Sequence, residues 1–137
     1  SNPFTPVVAT SADRATLIPS FPAQLTPGTS LATGVYYFFL LSRWFTGKGP
    51  CIDYVQYCWD NGFPRGPAGP DFADACVKDK FSPYDAAGSV NATTAKPSDL
   101  ATFLHPGYHT LTVFIDFDDS CFPSDFYLRT VIPFTLV

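Results

Sequence analysis

The clearest pattern in the chain runs from Leu104 to Phe117, LHPGYHTLTVFIDF. A Pro106-Gly107 turn opens it, and then it alternates. His109, Leu111, Val113, Ile115 and Phe117 share one face, while Tyr108, Thr110, Thr112, Phe114 and Asp116 share the other. A period of two, rich in Thr, Val, Ile and aromatics, predicts a long β-strand with one face in a core. A second alternating run, Phe126 to Val137, places Leu128, Thr130, Ile132, Phe134 and Leu136 together. Pro133 has no N–H to give a ladder, so its position belongs at an edge or a bulge. These two runs predict a closing hairpin. Upstream, CIDYVQYCW (Cys51 to Trp59) predicts a further strand that stops at the turn signal Asp60-Asn61-Gly62.

Val35 to Leu41 is apolar throughout, with Tyr36, Phe38 and Leu40 on one side and Tyr37, Phe39 and Leu41 on the other. A strand apolar on both faces belongs in the middle of a sheet, with its outer face covered by another segment. A helix is the competing reading, because the run has no period. Residues 1–33 are cut by prolines at 3, 6, 19, 22 and 27, which suits an irregular covering segment whose edge strand breaks and switches sheets. Phe63 to Pro70 is expected as a loop, and Asp71 to Val77 as a short strand or one helical turn. Residues 78–99 are expected as a long polar loop, and Leu100 to Leu104 as a short strand.

Composition points the same way. The 137 residues suit a single domain, 1–137, large enough for its own core. All twelve acidic residues are Asp, and Glu and Met are absent. Asp favours turns where Glu favours helices, and fourteen Pro with nine Gly add many turns, so the expected class is all-β. A net charge of −4 with scattered Lys and Arg disfavours nucleic acid as a partner. No apolar run reaches the roughly 18–20 residues of a membrane span. The chain has neither an initiator Met nor a signal-peptide pattern, and it stops on an apolar strand, which suggests a processed protein or a piece of a longer one.

Four cysteines, Cys51, Cys58, Cys76 and Cys121, are spaced by 7, 18 and 45 with no Cys-x-x-Cys pair. Disulfides in an oxidising compartment are therefore expected over a zinc site. Asn91-Ala92-Thr93 is an N-glycosylation acceptor, which together with the cysteines favours an extracellular or cell-surface setting.

Leu104-x-Pro106-Gly107-x-His109-Thr110-Leu111-x-Val113, followed by an Asp-bearing turn, Pro123-Ser124 and a last strand, resembles the immunoglobulin-like or fibronectin-type-III-like repeats of large extracellular proteins. Tyr57-Cys58-Trp59-Asp60-Asn61-Gly62 and Ala75-Cys76 are similar to a cysteine pair that some of these repeats carry. The likeness covers residues 51–77 and 100–137, not the first fifty residues or the 78–99 segment. It implies an antiparallel Ig-like β-sandwich of about seven strands with long loops. In that topology the 51–59 and 108–117 strands pair antiparallel, which implies bridges Cys51–Cys121 and Cys58–Cys76 among the three possible pairings.

Candidate chemistry is sparse. Asp116, Asp118 and Asp119, with Asp53 or Asp125, are the candidates for a hard cation, although a solvated acidic turn is the preferred reading and no EF-hand spacing is present. His105 and His109 flank the Pro-Gly turn, and His109 is expected to pack and hydrogen-bond to a neighbouring loop. No nucleophile elbow, zinc-binding helix motif or phosphate loop occurs, so no enzyme and no cofactor are expected. Trp44, Phe45, Trp59, Phe63 and Tyr84 are the aromatics nearest loops; they are candidates to contact a sugar or protein, with capping of the core as the preferred reading. The expected function is a structural or adhesive module that assembles with other protein domains. A glycan-binding module and a viral coat or spike sandwich are the alternatives.

Overall fold

The computed structural model describes residues 6–18, 20–26, 36–40, 52–60, 76–118 and 127–137. Cys51 and Cys121, and with them their expected bridge, lie outside these residues, as do Trp44, Phe45, Phe63, Asp119 and Asp125. Described strands are β1 (Pro6–Ala9), β2 (Gln24–Leu25), β3 (Tyr37–Leu40), β4 (Ile52–Trp59), β5 (Cys76–Asp79), β6 (Ser89–Asn91), β7 (Thr94–Ala95), β8 (Gly107–Phe117) and β9 (Tyr127–Leu136). The only helical element among the described residues is a 3-10 turn, Leu100–Thr102.

The alternating run is β8, and it is the centre of a five-stranded sheet ordered β2-β9-β8-β4-β5. β9 runs antiparallel to it from Gly107↔Leu136 to Asp116↔Tyr127. β4 pairs antiparallel along its other side, from Ile52↔Phe117 to Trp59↔Leu111, with an irregularity between Ile52 and Tyr54. Leu111, Val113, Ile115 and Phe117 are all buried in the main core, as the alternation predicts. The expectation of a purely antiparallel sheet is corrected, because β2 lies parallel to β9 through Gln24↔Thr135 and Leu25↔Leu136. Thr135 and Val137 donate their N–H groups to the carbonyls of Ala23 and Leu25, at 2.8 and 2.9 Å. Pro133, two residues earlier, would present its nitrogen to that same side, where it has no hydrogen to give. The parallel pairing therefore begins only beyond it, and Pro133 occupies the edge position expected of it.

β1 pairs with β3 in a separate two-stranded sheet. The N-terminal segment thus does switch sheets, with β1 in one and β2 in the other. Both faces of β3 are covered, as its sequence requires. Phe38 joins the main core with Val8, Val55, Tyr57 and Leu111, whereas Tyr37 and Phe39 pack with Ala9 and Ala95 in a second cluster. Burying a large side chain such as Phe38 contributes about 1.5–3 kcal/mol. Among the described residues, however, β3 is not flanked by full strands on both sides. Its second edge is met by single bridges, Tyr36↔Ser98 and Phe39↔Asp85.

Two expectations fail downstream. Residues 78–99 are not one extended loop; they contain the end of β5, the β6–β7 hairpin and the buried residues Tyr84, Asp85 and Ala86. Leu100 to Leu104 is not a strand. Leu100, fully buried, anchors a 3-10 turn in which Thr102, Phe103 and Leu104 donate back to Asp99 and Leu100 carbonyls.

Candidate functional site

A groove of about 340 Å³ opens where β4 ends, between the 84–87 segment and the 3-10 turn. Trp59, Val77, Ala86, Asp99, Thr102 and Phe103 are among the residues that line it. Trp59 is only 6% exposed, because it alternates onto the inner face of β4 with Val55 and Tyr57. Its ring meets Phe38 at 5.5 Å and Phe134 at 5.9 Å, both edge-on, and Phe103 at 5.6 Å on the groove side. Phe103 itself is 50% exposed and forms the rim.

Asp99 sits at the start of the 3-10 turn, where an Asp side chain ordinarily accepts a backbone N–H. Here the carboxylate makes no such bond; Thr102 instead donates its N–H and its hydroxyl to the Asp99 main-chain carbonyl. One carboxylate oxygen, Oδ1, is closed off from solvent and accepts no hydrogen bond. Reciprocal backbone bonds between Ser98 and Tyr36 fix the approach to the turn. Among the described residues the lining holds one acidic and no basic side chain. Such a wall of apolar and aromatic carbon with a single carboxylate suits a group carrying positive charge.

The groove's other wall is held by a buried ionic network. Arg14 grips Asp85 through both carboxylate oxygens, at 3.0 Å from Nε and 2.6 Å from Nη2. The two side chains are 7% and 1% exposed. The Ser89 hydroxyl also donates to Asp85, and the Asp85 N–H donates to Asp79 at 2.8 Å. Burial pushes the Asp79 carboxyl above its ordinary value, with the nearby Asp85 charge adding to the rise; the Asp85 and Phe81 N–H groups and Arg14 offset only part of it. Ala86 donates its N–H to Phe38 at 2.8 Å, which fastens this wall to β3.

On the neighbouring turn, His109 Nδ1 lies 2.9 Å from both oxygens of Asp60, and Nε2 faces the His105 carbonyl. Carboxylate and carbonyl can only accept, so this arrangement favours the imidazole with hydrogen on both ring nitrogens. Burial lowers its pKa, but the His105 carbonyl and the Asp60 carboxylate outweigh that and leave it raised. The ring is thus a clasp between the end of β4 and the entry to β8, as a packed, hydrogen-bonded His109 requires.

Of the aromatic candidates that lie among the described residues, Trp59 and Tyr84, only Trp59 lines the groove. Tyr84 is buried in the main core, so its ring is not offered to a ligand. Cys58 and Cys76 face one another across β4 and β5 and are joined by a disulfide, with Cα atoms 4.1 Å apart. Asn91 is exposed at the β6–β7 turn, where its Oδ1 accepts from the Thr93 N–H and hydroxyl, both at 2.9 Å. Asp116 lies opposite Tyr54 and Tyr127 in the sheet, and Asp118 follows β8. Among the described residues no three His, Cys or Asp side chains converge to hold a metal ion, and no helix is long and apolar enough to cross a membrane. Sequence reasoning missed Asp99 and Phe103. The signal available was an Asp next to a Leu-Ala-Thr-Phe turn, which read as a strand entry. No protein-family model, curated protein or solved structure matches this chain.

Proposed function

We propose that the chain is an immunoglobulin-like β-sandwich module of a secreted or cell-surface glycoprotein, and that it mediates assembly with other protein domains. The observation that carries this reading is the Cys58–Cys76 bridge, which ties β5 to β4. Disulfides of this structural kind persist in oxidising compartments. Supporting it, the sequon occupies an exposed hairpin turn, where a glycan meets no steric barrier. The N-terminal segment contributes a strand both to the five-stranded sheet and to the β1–β3 sheet, which fits a sandwich.

Expression through a secretory pathway, followed by peptide mass spectrometry, tests the reading. The expected result is a linked Cys58–Cys76 peptide and a glycan on Asn91 that Thr93→Ala removes. A native protein with both cysteines as free thiols would overturn it.

One observation favours a second reading. The groove combines Trp59 and Phe103 with the Asp99 carboxylate, and aromatic rings beside an acceptor are what a carbohydrate-binding module presents to a sugar. A glycan array showing saturable binding that Phe103→Ala abolishes would select it.

A further inference from the structure

We propose that the groove beneath the 3-10 turn receives a basic side chain, lysine or arginine, projecting from the partner protein. This rests on the assembly reading above and names the chemistry of its contact. Charge complementarity is the first support. Asp99 is the sole charged residue among the described residues of the lining, and no donor of the fold meets its Oδ1. A carboxylate that the fold leaves without a donor, on the wall of an open groove, attracts an approaching cation. The second support is Asp99's orientation. It stands at a helical N-cap yet leaves the cap to the main chain, so its position is not accounted for by capping the turn.

Shape narrows the occupant. A groove of about 340 Å³ suits one long side chain rather than a folded segment. Val77, Ala86 and Trp59 give the alkyl stem an apolar lining, and the half-exposed Phe103 ring at the rim offers its face to the charged head. A sugar ring would need several convergent hydrogen-bonding groups. Thr102's hydroxyl is committed to the Asp99 carbonyl, and the Ser98 backbone to Tyr36. What remains among the described lining residues is the Asp99 carboxylate and the Ser98 hydroxyl in a wall of carbon.

The test is a titration of the isotope-labelled full chain followed by the backbone amide signals of Thr102 and Phe103. The probes are Nα-acetyl-lysine amide, Nα-acetyl-arginine amide, the uncharged Nα-acetyl-norleucine amide, and N-acetylglucosamine. Saturable shifts with a basic probe and none with norleucine are expected. Asp99→Asn should weaken the basic probe roughly tenfold, and Phe103→Ser several-fold, the second variant serving if the first disturbs the turn. Equal binding to norleucine, or to both variants, would overturn the proposal. So would shifts with the sugar alone, which select the carbohydrate reading, or no shift with either basic probe. These failures would leave the Cys58–Cys76 bridge and the Asn91 glycan intact, whereas failure of the assembly reading shows first in those two features.

Discussion

The Tyr57 hydroxyl donates to the Tyr84 carbonyl at 2.6 Å, from the inner face of β4 to the segment bridged to β3. Both residues belong to the main core. Burial, with smaller contributions from Asp85 and Asp79, drives the phenol pKa well above its usual value, so the group stays a donor. Tyr57→Phe keeps the ring and removes only that donor. Denaturant melts should show a loss of about 1–2 kcal/mol, and an unchanged midpoint would refute the role assigned to this bond.

Arg14 and Asp85 form a buried pair with few alternatives to each other. Arg14→Met leaves Asp85 charged and uncompensated, and about 3–5 kcal/mol of stability should be lost. Adding Asp85→Leu should recover a substantial part of it. A double-mutant cycle with no coupling would show that the pair acts independently.

The His109 clasp makes stability depend on pH in a defined direction. The folded-state pKa is raised above 6.5, so the folded state holds the proton more tightly than the unfolded chain. Its contribution is full below the unfolded value and fades as pH rises through the folded one. Midpoints measured from pH 5 to pH 9 should fall across that window, and His109→Gln should flatten this component. A chain that becomes steadily more stable through the same window, with the variant behaving identically, would contradict the clasp.

Removing the β4–β5 bridge by Cys58→Ala with Cys76→Ala frees a loop of 18 residues. About 3 kcal/mol should be lost through the greater freedom of the unfolded chain. Because β5 reaches the groove through Val77, the amide signals of Val77 and Lys78 should broaden first.

Much of the sheet was readable because β8, β9 and β4 carry their instructions locally. Leu111, Val113 and Ile115 alternate, and Pro133 announces an edge. β2 was not readable, since two residues, Gln24 and Leu25, hold no period and their parallel partner lies over a hundred positions away. Residues 84–86 looked like polar loop because the partner that Asp85 is buried against, Arg14, lies 71 residues away, and Tyr84 and Ala86 join a core built from distant strands. The candidate site divides similarly. Trp59 was visible as an aromatic at a strand end, while Asp99 matters through what its carboxylate fails to contact, a property only the folded chain possesses.

The parallel pairing of β2 with β9 has a mechanical meaning. Tension entering at the start of β2 and leaving at the end of β9 pulls two parallel strands past each other along their length. The bonds from Thr135 to Ala23 and from Val137 to Leu25 are then loaded together in shear, not opened one after another like a zipper. Pro133, by denying the pair a third bond on the same side, sets how short that clamp is. A force-bearing adhesive module would give way there first.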